Sequence, residues 1–435
     1  MFSILRSITA IAACASYCIA QTTAELRRPL DALPIQPQER PIPVVKEIDG
    51  LLLRLYEERD AVGMSVAITK NGKLLYARGF GYADLSLKTP VEPTTRFRIA
   101  SISKSITAVA VLQLIQQRKL QLDDPAVSYL QLDPMNYEGS EPDKRLQTVT
   151  IRQLLNQTAG WDRDASFDPM SAATRGKVRQ ILGIEKESLR PKHIVRYMLT
   201  QPLDFDPGTQ YSYSNFGYCV LGRIIESVTN QSYEDYVIQN VLLPLGITSM
   251  QIGKQDSASN EATYYQRAVL DGESKGVFMQ VKGSLAPHIY ESHGGWIASA
   301  VDLARFACAF DNPRNCKILS SNAIQAMALQ PPGRVGFENG NARSNYYGLG
   351  WNVAKKHDGM SLSHSGSLLG SSAGLVRRHD GYSWVILFNL RKSDSEVGAT
   401  PTLQKSADLL NASRLSSRFD LFQSTYRTNL KRPRR

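Results

Sequence analysis

The sequence predicts an α/β (α+β) fold. One antiparallel β-sheet is built from both chain ends and flanked by helices, with a mainly helical region inserted between them. Three observations lead there. Two alternating runs flank Asn71-Gly72 near the start. A long stretch of helical periodicity fills the middle. Strand-like runs return near the end, with Ala373–Arg377 and Tyr382–Phe388 set around His379-Asp380-Gly381.

Taken in order, residues 1–20 read as a secretory signal. Arg6 opens it, Ile8 to Ala15 is short and mostly apolar, and Cys18-Ile19-Ala20 precedes Gln21. This predicts a secreted or periplasmic protein with no stable membrane span. Ile11-Ala12-Ala13-Cys14 weakly resembles a lipoprotein box, which makes a lipid anchor on Cys14 the alternative. Residues 21–44 carry Pro29, Pro34, Pro37, Pro41 and Pro43 and read as a linker without helix or strand. The domain proper is expected over 45–413, with 45–100 and 340–413 as the sheet region and 101–339 as the mainly helical region. A basic tail, 414–435, follows.

Ile48, Leu51, Leu52, Leu55 and Tyr56 recur at helical spacing over about 44–59. Met64–Lys70 and Lys73–Gly79 around Asn71-Gly72 are a hairpin. From Ile102 to Ile115 nearly every residue is apolar or small, which marks a buried helix. A capped helix is expected near Thr148–Leu155, and residues 162–190 read as an irregular loop over the site. Helices follow at Tyr218–Val228 and Tyr233–Leu243, the latter ended by Pro244-Leu245-Gly246. Gly294-Gly295-Trp296 leads into a helix over Val301–Phe310. Tyr347–Val353 and Ser361–Gly366 are strand candidates, and a helix over about 402–412 closes the domain.

At 435 residues, 42% hydrophobic and 21% charged, the chain has an ordinary globular composition. Of the net charge of +11, four charges sit in Lys431, Arg432, Arg434 and Arg435. That run reads as a solvated tail, and no nucleic-acid signature accompanies it. Cys219, Cys308 and Cys316 remain after the signal. Cys219 reads as packing. Cys308 and Cys316 flank Asn312-Pro313-Arg314-Asn315, so a bridge between them is a candidate. The oligomeric state is not encoded in any readable feature.

Chemistry concentrates at the start of the buried helix. Ser101 and Lys104 lie three residues apart and share one face within its first turn. A serine hydroxyl needs a neighbouring base, and a lysine in an apolar setting is held neutral and can serve. The helix start also favours a developing oxyanion. Ser-x-x-Lys alone is common and fits a simple helix cap equally well. Tyr213 and Asn215, alternate residues of Tyr213-Ser214-Asn215, add a phenol and an amide on one side of an extended turn. His364-Ser365-Gly366-Ser367 lies on a strand. Gly366 there permits close backbone approach, and the Ser367 N–H can face an oxyanion.

These three motifs, in this order, resemble those of the serine β-lactamase and penicillin-binding-protein superfamily. The wide spacing is most similar to class C β-lactamases, DD-peptidases, family VIII esterases and D-amino-acid peptidases. Arg96–Ser101, Gly294-Gly295-Trp296 and Tyr347-Gly348-Leu349-Gly350-Trp351 agree, and the likeness covers roughly 45–412. The resemblance implies a secreted serine hydrolase that cleaves amide or ester bonds in a small-molecule or peptide substrate, without cofactor or metal. Ser101 would be acylated, and Lys104 and Tyr213 would share the acid–base work, with the first proton acceptor left open. Asn215 would position the substrate amide. His364 and Ser365 would bind an acid group of the substrate. The N–H groups of Ser101 and Ser367 would form the oxyanion hole. Class C β-lactamases have lysine where His364 stands, and histidine is neutral for much of the time near pH 7. The alternatives are a β-lactamase proper and a catalytically inactive binding scaffold. Gly370-Ser371-Ser372-Ala373-Gly374 also matches a nucleophile elbow, but that motif needs a helix after it, and a strand and hairpin are expected instead.

Overall fold

Helix α1 (Pro43–Glu58) forms because Val45, Ile48, Leu52, Leu55 and Tyr56 make one apolar stripe, and all five are buried against the sheet. The computed structural model describes residues 26–27, 43–254, 258–268, 277–281, 287–338, 341–391, 399–413 and 420–424. The expected signal and the basic run 431–435 lie outside the described residues.

Strands β1 (Gly63–Lys70) and β2 (Lys73–Asp84) are joined by Asn71 and Gly72, whose φ angles are 48° and 78°. Positive φ at both turn positions matches the twist of the flanking strands and is why Asn-Gly stands there. Then come β3 (Thr89–Pro90), β4 (Arg96–Arg98) and helix α2 (Ser103–Gln116). The middle contains α3 (Ile151–Leu155), α4 (Asn215–Thr229), β5 (Gln251–Ile252), β6 (Trp296–Ser299) and α5 (Ala300–Cys308). The chain returns through β7 (Asn345–Tyr347), β8 (Asn352–Lys356), β9 (Gly359–Leu368), β10 (Ser371–Arg377), β11 (Tyr382–Phe388) and α6 (Thr400–Ala412).

The eight-stranded sheet runs β7-β8-β9-β10-β11-β1-β2-β3, antiparallel throughout. Its seam is the β11–β1 pair, from Tyr382↔Lys70 to Phe388↔Met64, where the chain's end meets its beginning. The α/β class and the sheet assembled from both ends therefore stand. Helices α1 and α6 cover one face. Helix α5 and the helical middle cover the other, with α2 buried among them. A smaller sheet, β4-β6-β5, stands beside the start of α2.

Several expectations need correction. Residues 21–44 are not free of strand, because Leu26–Arg27 pairs with Val277 and Phe278. Residues 162–190 are not simply irregular: Ala172–Leu182 is a helix, capped by Ser171 on Thr174 N–H and stopped by Gly183 at φ 61°. Tyr347–Val353 is not one strand but the turn between β7 and β8. Gly350 sits there at φ 84°, where a Cβ would lie 2.3 Å from the Ala108 Cβ, so the turn packs directly on α2. Beyond residue 413, Asp420 Oδ1 accepts from Leu74 N–H at 3.2 Å, and Arg305 lies 4.0 Å over the Phe422 ring. Cys308 and Cys316 are both free thiols. Cys308 ends α5 with its Sγ directed at the Arg305 carbonyl, 3.5 Å away. Among the described residues no helix is long and apolar enough to cross a membrane.

Candidate active site

Ser101 lies in a single 3-10 turn, Ala100–Ile102, that leads into α2. It caps nothing: Ile99 and Ile102 hold the cap positions, and neither makes a side-chain cap bond. The simple helix-cap reading of Ser101 is thereby lost. Ala100, just before it, has φ 48°, a left-handed conformation that costs a non-glycine residue about 1–3 kcal/mol. Surrounding contacts hold the turn in this shape. Arg98 N–H donates to the Tyr264 hydroxyl at 2.8 Å, and the Arg98 carbonyl accepts from Ser371 Oγ at 2.5 Å. Strand β9 presses against the turn at Gly366, where a Cβ would stand 2.1 Å from the Ile99 carbonyl oxygen. Only glycine fits there. The Ser371 bond, together with one from Ser372 Oγ to the Leu390 carbonyl at 3.0 Å, commits both serines of the elbow-like motif to structure.

Lys104 is fully buried on α2 and aims back at Ser101. Its Nζ lies 3.1 Å from Ser101 Oγ, 2.8 Å from Asn215 Oδ1 and 2.9 Å from the His293 carbonyl oxygen. Burial holds its amine well below the ordinary lysine range; the charge of Arg163 adds to this, and Asp168 opposes it. The neutral amine has two hydrogens and one lone pair. Asn215 Oδ1 and the His293 carbonyl can only accept, so they take the two hydrogens. The lone pair is left facing Ser101 Oγ.

Tyr213 and Asn215 straddle the start of α4. Ser214 is its N-cap, accepting from Gly217 N–H, and Asn215 is its first helical residue rather than part of an extended turn. The Lys104 Nζ sits 4.8 Å from the Tyr213 ring centroid. Burial pushes the Tyr213 phenol up, while its hydrogen bond with Ser101 and the charge of Arg163 pull it down. Gln157 fixes this segment from both sides. Its carbonyl accepts from Ser212 N–H at 3.0 Å, and its side chain accepts from Ser214 N–H at 2.8 Å.

His364 is buried on β9, and both its ring nitrogens are engaged. Nδ1 is 2.7 Å from the Ser365 carbonyl, which can only accept, so Nδ1 carries the proton. Nε2 then accepts from the Tyr347 hydroxyl at 2.9 Å. Burial, with the Lys104 charge second, brings the imidazole down to about 3, against the pull of the Ser365 bond. Ser365 and Ser367 are exposed. Pairing of β9 with β8 ends at Ser363↔Asn352, while pairing with β10 runs on to Leu368↔Ser371. The β9 segment beyond Ser363 thus borders the site.

The structure brings Ser101, Lys104, Tyr213, Asn215, His364 and Gly366 into one cluster. Residues 48–409 match the family described as Beta-lactamase. The chain belongs to the beta-lactamase family. Among curated relatives, this family member is similar to Protein flp of Staphylococcus aureus (strain MRSA252). The two are 29% identical over 348 residues, 79% of this chain and 63% of the relative. The chain thus spans less than two thirds of that relative's length. In structure it is similar to the D-amino acid amidase from Ochrobactrum anthropi SV3 complexed with D-phenylalanine, with TM-score 0.66 and 22% identity over 85% of this chain and 99% of that one. It is also similar to EstCE1, a hydrolase with promiscuous acyltransferase activity, with TM-score 0.63 and 23% identity over 83% and 98%. These two likenesses show the shared fold.

Sequence reasoning missed three contributors in this family member: Gln157, the His293 carbonyl and Tyr347. Gln157 follows the expected helix Thr148–Leu155 by two residues, Gly294-Gly295-Trp296 comes directly after His293, and Tyr347 opens Tyr347-Gly348-Leu349-Gly350-Trp351. No spacing rule links them to Ser101, because each acts through the fold.

Proposed function

We propose that the chain is a serine hydrolase that cleaves amide or ester bonds through an acyl-enzyme on Ser101. One observation carries this reading: the lone pair of the buried Lys104 amine is aimed at Ser101 Oγ by two pure acceptors. Lys104, rather than Tyr213, takes the first proton, since burial favours the neutral amine and equally the un-ionised phenol. Ser101 Oγ attacks the carbonyl carbon, and the oxyanion forms against the N–H groups of Ser101 and Ser367. The proton on Lys104 passes through the Tyr213 hydroxyl to the leaving nitrogen or oxygen as its bond to carbon breaks. Water, giving its proton to the same pair, then releases the acid and restores Ser101.

Asn215 holds Lys104 and meets the substrate amide. Neutral His364 cannot present a cation to a substrate carboxylate. That observation favours an amidase, peptidase or esterase over a β-lactamase proper. The amidase and hydrolase neighbours are consistent with this choice. A binding scaffold would gain nothing from a buried lysine aimed at a serine. Residues 1–20 would export the protein to an extracellular or periplasmic site. The test is intact-mass spectrometry after a fluorophosphonate probe. Wild type should gain one adduct and Ser101→Ala none; an adduct that persists in Ser101→Ala sinks the proposal.

A further inference from the structure

The two acceptors that aim Lys104 come from different parts of the chain. Asn215 opens α4, and the His293 carbonyl belongs to a single turn of π-helix, Glu291–Gly295. Two bonds pin that turn just before His293. Arg223 of α4 bonds Glu291 Oε1 through one guanidinium nitrogen and Glu226 Oε2, at 2.8 Å, through the other. The side chains of Arg223 and Glu291 are 9% and 15% exposed, so their ion pair is largely shielded from water. The Ser292 carbonyl accepts from Thr107 Oγ1 of α2 at 2.5 Å. With its hydrogen spent there, the Thr107 hydroxyl accepts from Tyr233 at 2.7 Å, and the Tyr233 hydroxyl accepts from Trp296 Nε1–H at 2.9 Å. The turn also packs closely on α4: a Cβ at Gly222 would lie 2.6 Å from Ser292 Oγ. Burial pushes the Glu291 carboxyl up to about 7; Arg223 pulls against this, and Glu226 and Glu234 add to it.

We propose that Arg223 and Glu291 are positioning residues for acylation: their ion pair ties the turn that carries the His293 carbonyl to the helix that carries Asn215, and so fixes both acceptors about the Lys104 amine. This rests on the hydrolase reading above. Each residue acts through the backbone of its own element. Asn215 and Arg223 stand about 12 Å apart along one helix, and Glu291 lies two residues before His293. Thr107 ties the same turn to α2, the helix of Lys104, and Arg223 supplies the tie to α4. A turn released from α4 lets the His293 carbonyl withdraw. A Lys104 hydrogen is then free to swing toward Ser101 Oγ in place of the lone pair. Displacing a reacting group by about 1 Å costs on the order of a hundredfold in rate. Desolvation offsets most of the attraction in a buried ion pair, so what this pair contributes is placement rather than stability.

The test is the rate at which a fluorophosphonate labels Ser101, measured on the full chain at about pH 8, above the Glu291 value. Arg223→Met should slow labelling at least tenfold, and Arg223→Lys, which keeps the charge, should restore part of the rate. Glu291→Gln, which leaves Arg223 a neutral acceptor, should slow it by a smaller factor, and it decides the matter if Arg223→Met does not fold. Either change made in Lys104→Met protein should alter the residual rate less than twofold, because both act through Lys104. An undiminished rate, or an equal loss with and without Lys104, overturns the proposal. A second arm needs no reactive serine. The same changes should raise the urea-unfolding constant at least threefold more in the wild-type background than in Lys104→Met, where the His293 carbonyl has no amine to hold. If wild type takes no label, the hydrolase reading has failed and this arm decides alone; equal effects in the two backgrounds then overturn the positioning role.

Discussion

On one face of the eight-stranded sheet, α1 and α6 cover Val66, Ile68, Trp384, Ile386 and Phe388 with Leu52, Leu55, Leu403 and Leu410. Its central ion pair is at Asp49, whose carboxylate accepts from Tyr76 at 2.7 Å and Arg78 at 3.0 Å. On the other face, α5 and the helical middle enclose Lys104, Thr107, His293 and His364, all buried as deeply as the leucines. Burial does different work on the two sides. Against α1 and α6 it removes apolar surface from water, stabilising by about 1.5–3 kcal/mol per large side chain. Around Ser101 it strips water from ionisable groups, which lowers stability and sets their proton affinities. The strained Ala100 and the tight Gly366 contact lie on this second side.

The comparison breaks most sharply at Lys104. Lys104→Met should lower kcat/KM at least about a thousandfold, or about 4 kcal/mol of barrier, while raising resistance to urea at pH 7. The pH dependence identifies the cause. The folded amine titrates well below 10.5, so in the window between the folded value and 10.5 the unfolded chain binds more protons, and stability rises with pH there. Urea midpoints should therefore show the advantage of Lys104→Met shrinking as pH climbs toward 10.5. A constant gap, or a less stable variant, would mean that Lys104 is a structural residue.

The opposite behaviour is expected across the sheet. Leu52→Ala, on the fully buried face of α1 against the sheet, should cost about 2–5 kcal/mol by urea unfolding and leave kcat unchanged below the transition. A parallel loss of kcat would show that the two faces are not energetically separate.

The smallest effect concerns His364. Its folded value is about 3 against an ordinary 6.5, so the unfolded state binds more protons between those limits. Wild-type stability should fall as pH drops from 6.5 toward 3. His364→Gln, which keeps an acceptor for the Tyr347 hydroxyl, should flatten that slope and match wild type near pH 7. Acid titrations followed by circular dichroism read this directly; an unchanged slope would place the acid sensitivity elsewhere.

Much of this was legible in one dimension. Asn71-Gly72 announces its hairpin because positive φ is a local demand of those two residues. The run after Ile102 announces burial because no face of it is polar. Ser101 and Lys104 are three residues apart across the entry to α2, so local spacing already places them on one face. The helix Ala172–Leu182 was also legible, in Ser171 and Gly183, but its polar composition hid it. The turn between β7 and β8 was hidden for another reason: Gly350 bends the chain to meet Ala108 on α2, a contact between distant parts of the sequence.

The sequence by itself determined the class of fold, the buried helix and the order of the three motifs, because each rests on spacing within a few residues or on apolar periodicity. Tertiary structure alone decided what those residues became. It set the direction of the Lys104 lone pair through Asn215 and the His293 carbonyl, and it kept His364 neutral by burying it between Tyr347 and Ser365. Proton affinity depends on the water removed and the charges brought near, and both are properties of packing between segments far apart in the chain.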